Sequence, residues 1–113
     1  MIQRRELLAS SLGVAMLSAV GLAQAQPTKT VRIVVPFASG GVQDTLARAL
    51  SQEMGMALGQ TVIVENRAGA GGTVGTGYVA RAEADGSVMV AAAASHNIAG
   101  SLYTKLAYDP QKD

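Results

Sequence analysis

The stretch from Thr30 to Leu58, TVRIVVPFASGGVQDTLARALSQEMGMAL, decides the fold. It opens with Thr30 to Phe37, whose Val31, Ile33, Val34 and Val35 are β-branched. Because Ile33, Val34 and Val35 are continuous rather than alternating, the run predicts a strand buried on both faces. Pro36 closes it, and Ser39-Gly40-Gly41 reads as a turn. From Asp44 to Leu58 the pattern changes period. Leu46, Leu50, Met54 and Leu58 recur every four residues, with Ala47 and Ala57 beside them and Arg48, Gln52 and Glu53 facing elsewhere. That predicts a helix, with Asp44 as its N-cap and Gly59 as its stop.

Downstream the same alternation returns. Thr61 to Glu65 predicts a second strand, and Val74 to Ala84 a second helix opened by Thr73 or Thr76. Asp85-Gly86 predicts a turn, and Ser87 to Ala93 a third strand. Ser95-His96-Asn97 follows as a loop, and Ser101 to Asp113 has no clear periodicity. Strands separated by helices imply an α/β fold with a mostly parallel sheet and right-handed crossovers. Ligands in such sheets sit at the carboxyl ends of the strands. Three glycine-rich or polar segments fall there: Phe37 to Gly41, Asn66 to Gly72, and Ala94 to Asn97.

Upstream, Met1 to Ala25 reads as a removable export signal. Arg4 and Arg5 form a positive start, Leu7 to Ala23 is apolar, and Ala23-Gln24-Ala25 is a peptidase-type ending. The apolar run is shorter than the roughly 20 residues of a comfortable membrane span and is broken by Ser and Gly. The general secretory and twin-arginine routes both fit the Arg pair. The expected product is periplasmic, with no membrane span once the signal is removed.

Composition removes several function classes. The chain has 113 residues, a formal net charge of +1 and no cysteine. The signal carries the excess charge, because residues 26–113 hold seven basic and seven acidic side chains. No basic surplus remains to neutralise phosphates, so nucleic acid is not an expected partner. Disulfide scaffolds, thiolate metal sites and cysteine nucleophiles are excluded. The four aromatics, Phe37, Tyr78, Tyr103 and Tyr108, are too few for a stacking platform.

The candidate chemistry lies in the three loops. Gly40 and Gly41 sit between a buried strand and a helix start, where bare amides and the helix dipole suit a carboxylate or phosphate. The same glycines also fit a tight turn that needs their backbone freedom. Asp44 complicates an anion site, since its carboxylate competes for the donors and repels the ligand. Gly69-Ala70-Gly71-Gly72 is not a nucleotide loop: no Lys follows Gly72, and the dinucleotide spacing fails at Val74. His96 is the only histidine, with Asp44 or Ser95 as conceivable partners. No G-x-S-x-G elbow accompanies it, so it reads as a ligand-contacting or loop-structuring residue rather than a base. No His/Asp/Glu cluster has metal spacing, and no cofactor is implied. Arg67 fits two roles, a fork on a ligand carboxylate or an ion pair with Glu65.

Three blocks carry a family resemblance: VRIVVPFASGGVQDTLARAL, GQTVIVENRAGAGGTVGTGYVARAEADG and SHNIAGSLYTKLAYDPQKD. They resemble the tripartite tricarboxylate transporter solute receptors, also called Bug-type receptors, over all of residues 26–113. Ala68, Ala99-Gly100 and Ala107 depart from the usual Pro, Asn-Pro and Pro of that pattern. The resemblance implies a two-lobed, Venus-flytrap periplasmic binding protein with no catalytic activity. Its expected ligand is a small carboxylate: a di- or tricarboxylate, an acidic amino acid or an aromatic acid. Its expected partners are the membrane permease subunits of the transporter. In the family the loop after the first strand meets the ligand carboxylate through backbone groups and ordered water. Here that loop is Phe37, Ala38, Ser39, Gly40 and Gly41, with Asp44 below, and the segment at Ser95 and His96 resembles another cleft loop. Such receptors run to about 300 residues, a two-domain length. Residues 26–113 are therefore expected to form an incomplete amino-terminal lobe. A different reading on the same fold is an envelope sensor that presents ligand to a two-component kinase, and neighbouring genes would discriminate. An enzyme using His96 is a third, and it predicts that His96→Ala abolishes turnover.

Overall fold

A computed structural model describes residues 29–113. The expected export signal lies outside these residues. The central strand, β1 (Val31–Val35), is flanked by β2 (Val62–Asn66) on one side and β3 (Val88–Val90) on the other. Both pairings are parallel. Val31 stands opposite Val62 and Val35 opposite Asn66, while Arg32 to Val34 pair with Val88 to Val90. Central placement explains the continuous apolar run: Val34 and Val35 are fully buried, each under a different face of the sheet.

The connections are α1 (Val42–Leu58), a 3-10 turn (Ala70–Gly72) running into α2 (Thr73–Ala80), and α3 (Ala94–Leu102) after β3. α1 packs on β1 and β2, whereas α2 packs on β1 and β3. The chain thus leaves β1 in one direction for β2 and crosses back to the other side for β3. Right-handed crossovers in opposite directions place α1 and α2 on opposite faces. The strand order reverses between β1 and β3.

Several boundaries differ from the sequence expectation. α1 begins at Val42 with Gly41 as N-cap, so Asp44 is its third residue and not its cap. An acidic group there reaches back to the preceding loop, as in a capping box, so the residue type was informative and its position was not. Gly59 ends the helix in the left-handed conformation (φ 61°), as expected. α2 stops at Ala80 instead of Ala84. Ser95, His96 and Asn97 lie inside α3 rather than in a loop, and the helix extends through Ser101 and Leu102.

The core also corrects the helical stripe. Ile33, Val35 and Ala47 are buried together, with Phe37, Met54, Val62, Val64 and Met89 packed against them. Leu46, Leu50 and Leu58 are more than half exposed. Leu46 and Leu50 nonetheless line one apolar groove with Ile33, Met54 and Met89 beside β3. Ala47 and Met54, seven apart, return to nearly the same direction.

Candidate functional site

The carboxyl ends of all three strands come together on one side of the sheet. The strand order reverses between β1 and β3, and open α/β sheets receive ligands at that point. A narrow crevice lies there, lined by Phe37 from the first loop, Gly71 and Gly72 from the second, and Ser95 and His96 from α3. Phe37 is half-buried at the base of its loop, while Ala38, Ser39, Gly40 and Gly41 are exposed at the tip. The structure therefore joins Phe37, Ser95 and His96 around one crevice, whereas Ala38 to Gly41 are exposed and do not line it.

The first loop is held from below. Gly40 adopts φ 89°, which an L side chain rarely takes, and donates its N–H to Asp44 Oδ2 at 2.9 Å. No described residue accepts the amides of Gly41 and Val42, which lie at the positive end of α1. Asp44 is almost fully buried. Arg48 Nε lies 3.1 Å from both of its oxygens, and Asn66 Nδ2 donates to Oδ1 at 3.0 Å. Arg48 first, then the Gly40 amide and then Asn66 hold the Asp44 carboxyl down to about 2. Arg48 thus does not face away from the site, as its place beside the apolar stripe suggested. An Asp and an Arg four apart on a helix are neighbours, so this pair was open to detection. Asn66 was not, since it comes from 22 positions away in the chain.

The second loop is built for packing. Arg67 takes the ion-pair role: its Nε lies 2.7 Å from Glu65 Oε1, and its guanidinium stacks 3.7 Å above the Tyr78 ring. Its backbone N–H continues the ladder to Val35 O. Gly72 is buried at φ 96°, in contact distance of Phe37. Gly75 allows α2 to touch β1: a Cβ there would meet Arg67 O and Pro36 Cβ, each at 2.8 Å. The glycines serve backbone conformation and close approach, as expected of a run that fails the nucleotide patterns.

His96 neither meets Asp44 nor bonds to Ser95. Its ring stacks on the buried Tyr108 ring, 5.7 Å between centroids and 4° from parallel. Its backbone N–H donates to Ala93 O, and its Nδ1 is buried without a hydrogen-bond partner among the described residues. Tyr108 belongs to the tail that showed no periodicity, which returns to pack against Gly77. Among the described residues, no three His, Asp or Glu side chains are grouped to hold a metal ion, and no helix is long and apolar enough to cross a membrane.

A reversing parallel sheet with ligand-accessible loops at its strand ends defines part of an α/β binding lobe. Several solved structures are similar to this chain. The structure of periplasmic binding protein BugD matches with a TM-score of 0.68 and 46% identity, over 75% of this chain and 28% of that one. MatC (Rpa3494) from Rhodopseudomonas palustris, solved with bound malate, matches with a TM-score of 0.68 and 44% identity, over 77% and 30%. R. palustris Rpa4515, solved with adipate, matches with a TM-score of 0.71 and 36% identity, over 77% and 29%. The family model described as tripartite tricarboxylate transporter family receptor matches residues 46–113, and the chain belongs to that family. It spans between about a quarter and a third of the length of the curated relatives it matches. The fold is accordingly a partial lobe of the periplasmic-binding-protein type.

Proposed function

We propose that this chain takes part in capturing a small carboxylate outside the cytoplasm for delivery to the permease subunits of a tripartite tricarboxylate transporter. Residues 1–25 serve as the export signal, and residues 26–113 contribute to the amino-terminal lobe of a two-lobed receptor. Phe37, Ala38, Ser39, Gly40 and Gly41 form the ligand-facing loop, with Asp44 beneath it and Ser95 and His96 on the adjoining wall. The protein acts by binding and release, without chemistry on the ligand. A second lobe closing over this wall is the usual means of enclosing such a ligand.

One observation carries the reading: the amides of Gly41 and Val42, without acceptors among the described residues, stand at a helix N-terminus beside the point where the strand order reverses. The malate and adipate bound to structural neighbours agree with that chemistry. Isothermal titration with malate, adipate, a neutral sugar and calcium provides the test. Heat from the dicarboxylates alone is expected. Binding of the sugar or the cation in their place overturns the reading.

A further inference from the structure

A buried carboxylate beneath an anion site poses an electrostatic problem. Left bare, Asp44 would repel a carboxylate bound at the Gly41 and Val42 amides, and close like charges interact strongly in a partly buried setting. The structure answers in two ways. Asp44 accepts from the Gly40 N–H and leaves the next two amides free. Arg48 lies against both Asp44 oxygens and matches the charge.

Asn66 completes the arrangement from the end of β2. Its Nδ2 donates to Asp44 Oδ1 at 3.0 Å and to Phe37 O at 3.2 Å, while its Oδ1 accepts from Arg48 Nη2 at 3.1 Å. Both amide hydrogens and the carbonyl are engaged, which fixes the orientation of the carboxamide. One side chain thereby ties down the start of the first loop at Phe37. Through Asp44 it also ties down Gly40, near the loop's end. The Arg48 guanidinium is about half exposed, so its pairing with Asp44 adds little to stability by itself. Its position matters more for the field felt at the loop.

We propose that Asn66 and Arg48 are positioning residues of the carboxylate site. Asn66 sets the path of the Phe37–Gly41 loop, and Arg48 cancels the Asp44 charge so that the helix amides can receive an anion. The inference rests on the reading that this loop binds a carboxylate.

Nitrogen-15 NMR titration of the 113-residue chain with malate, followed at the Gly41 and Val42 amides, tests it. Arg48→Met is expected to weaken malate about tenfold, since it uncovers the Asp44 charge. Adding Asp44→Asn to Arg48→Met removes that charge and is expected to bring affinity back to within about threefold of Asp44→Asn alone. A merely structural role for Arg48 would give additive losses instead. Asn66→Ala is expected to weaken malate with or without Asp44→Asn and to shift the Gly40 amide resonance. Arg48→Lys keeps the charge and loses the fork, so it is expected to stay near the unsubstituted affinity. It carries the test if Arg48→Met fails to fold by circular dichroism, and a tenfold loss in it overturns the proposal. So does an Arg48→Met chain that binds malate normally, or a double variant no better than Arg48→Met. If neither malate nor adipate moves the unsubstituted amides, the carboxylate reading falls and takes this inference with it. If they do move and Arg48→Met changes nothing, only the inference falls.

Discussion

Asp44 is the residue at which charge, burial and backbone meet. Its carboxyl is held down to about 2, first by Arg48, then by the Gly40 amide and Asn66, against an ordinary value of 3.8. A depressed carboxyl stabilises the fold while it is ionised. Its contribution is fully present above pH 4 and is lost as the pH falls through the window from about 4 to 2, where the unfolded chain already binds the proton. Urea titrations at stepped pH should show the midpoint falling across that window. Asp44→Asn should flatten the slope there. An unchanged slope in the Asn variant would mean that other groups govern acid stability. Asp85 is also depressed, through the Lys29 ammonium and then Ser87, so part of the slope is expected to remain across the same window and below it in that variant.

At the scale of elements, the glycine run after β2 determines how closely α2 lies on β1. Gly75 has Pro36 and the Arg67 carbonyl inside ordinary contact distance of any added Cβ. Neither is the far end of a flexible side chain, so the clash cannot be relieved locally. Gly75→Ala is expected to cost about 1–3 kcal/mol, as overpacking of a close contact does. A chemical denaturation midpoint would read the loss. The control is Gly86→Ala, where no atom lies within 4 Å and only the positive φ of 79° opposes the change. Equal losses at both positions would show that backbone conformation alone, and not the contact between α2 and β1, sets the need for glycine. The glycines were visible in the sequence. Their reason was not, because it depends on Pro36, which lies in a different element and approaches only through the parallel pairing of β1 and β2.

For the molecule as a whole, the decisive feature is that β3 has one neighbour among the described residues. Grooves of about 310 Å³ and about 410 Å³ flank it. The first is lined by Leu46, Leu50, Met54 and Met89, the second by Val79, Ala82, Val88 and Tyr108. A strand with apolar side chains toward both grooves and no charge or proline along Val88–Val90 is guarded as a sheet edge only by its shortness. β2, by contrast, carries Glu65, paired with Arg67. At raised concentration the 113-residue chain is therefore expected to associate through this edge. Sedimentation across a concentration series would check this. A monomer at every concentration would show that the β3 edge does not drive association.

The amino-acid sequence by itself determined the alternation of strand and helix, the parallel sheet it implies and the loops that follow β1 and β2, while the segment after β3 proved to be helix. Those features follow from local periodicity and from glycine placement, which each segment carries within a few residues. The blocks around Phe37 to Asp44 and Asn66 to Gly72 also sufficed to indicate the receptor family. Only the tertiary structure decided which polar groups meet. Asn66 joins Asp44 because the register sets Val35 opposite Asn66, and no pattern along the chain encodes that distance. Arg67 turns to Glu65 and Tyr78, His96 stacks on Tyr108, and three of the four expected stripe residues of α1 stay more than half exposed. In each case the partner comes from packing one element on another, and the energy of that meeting is absent from either element alone.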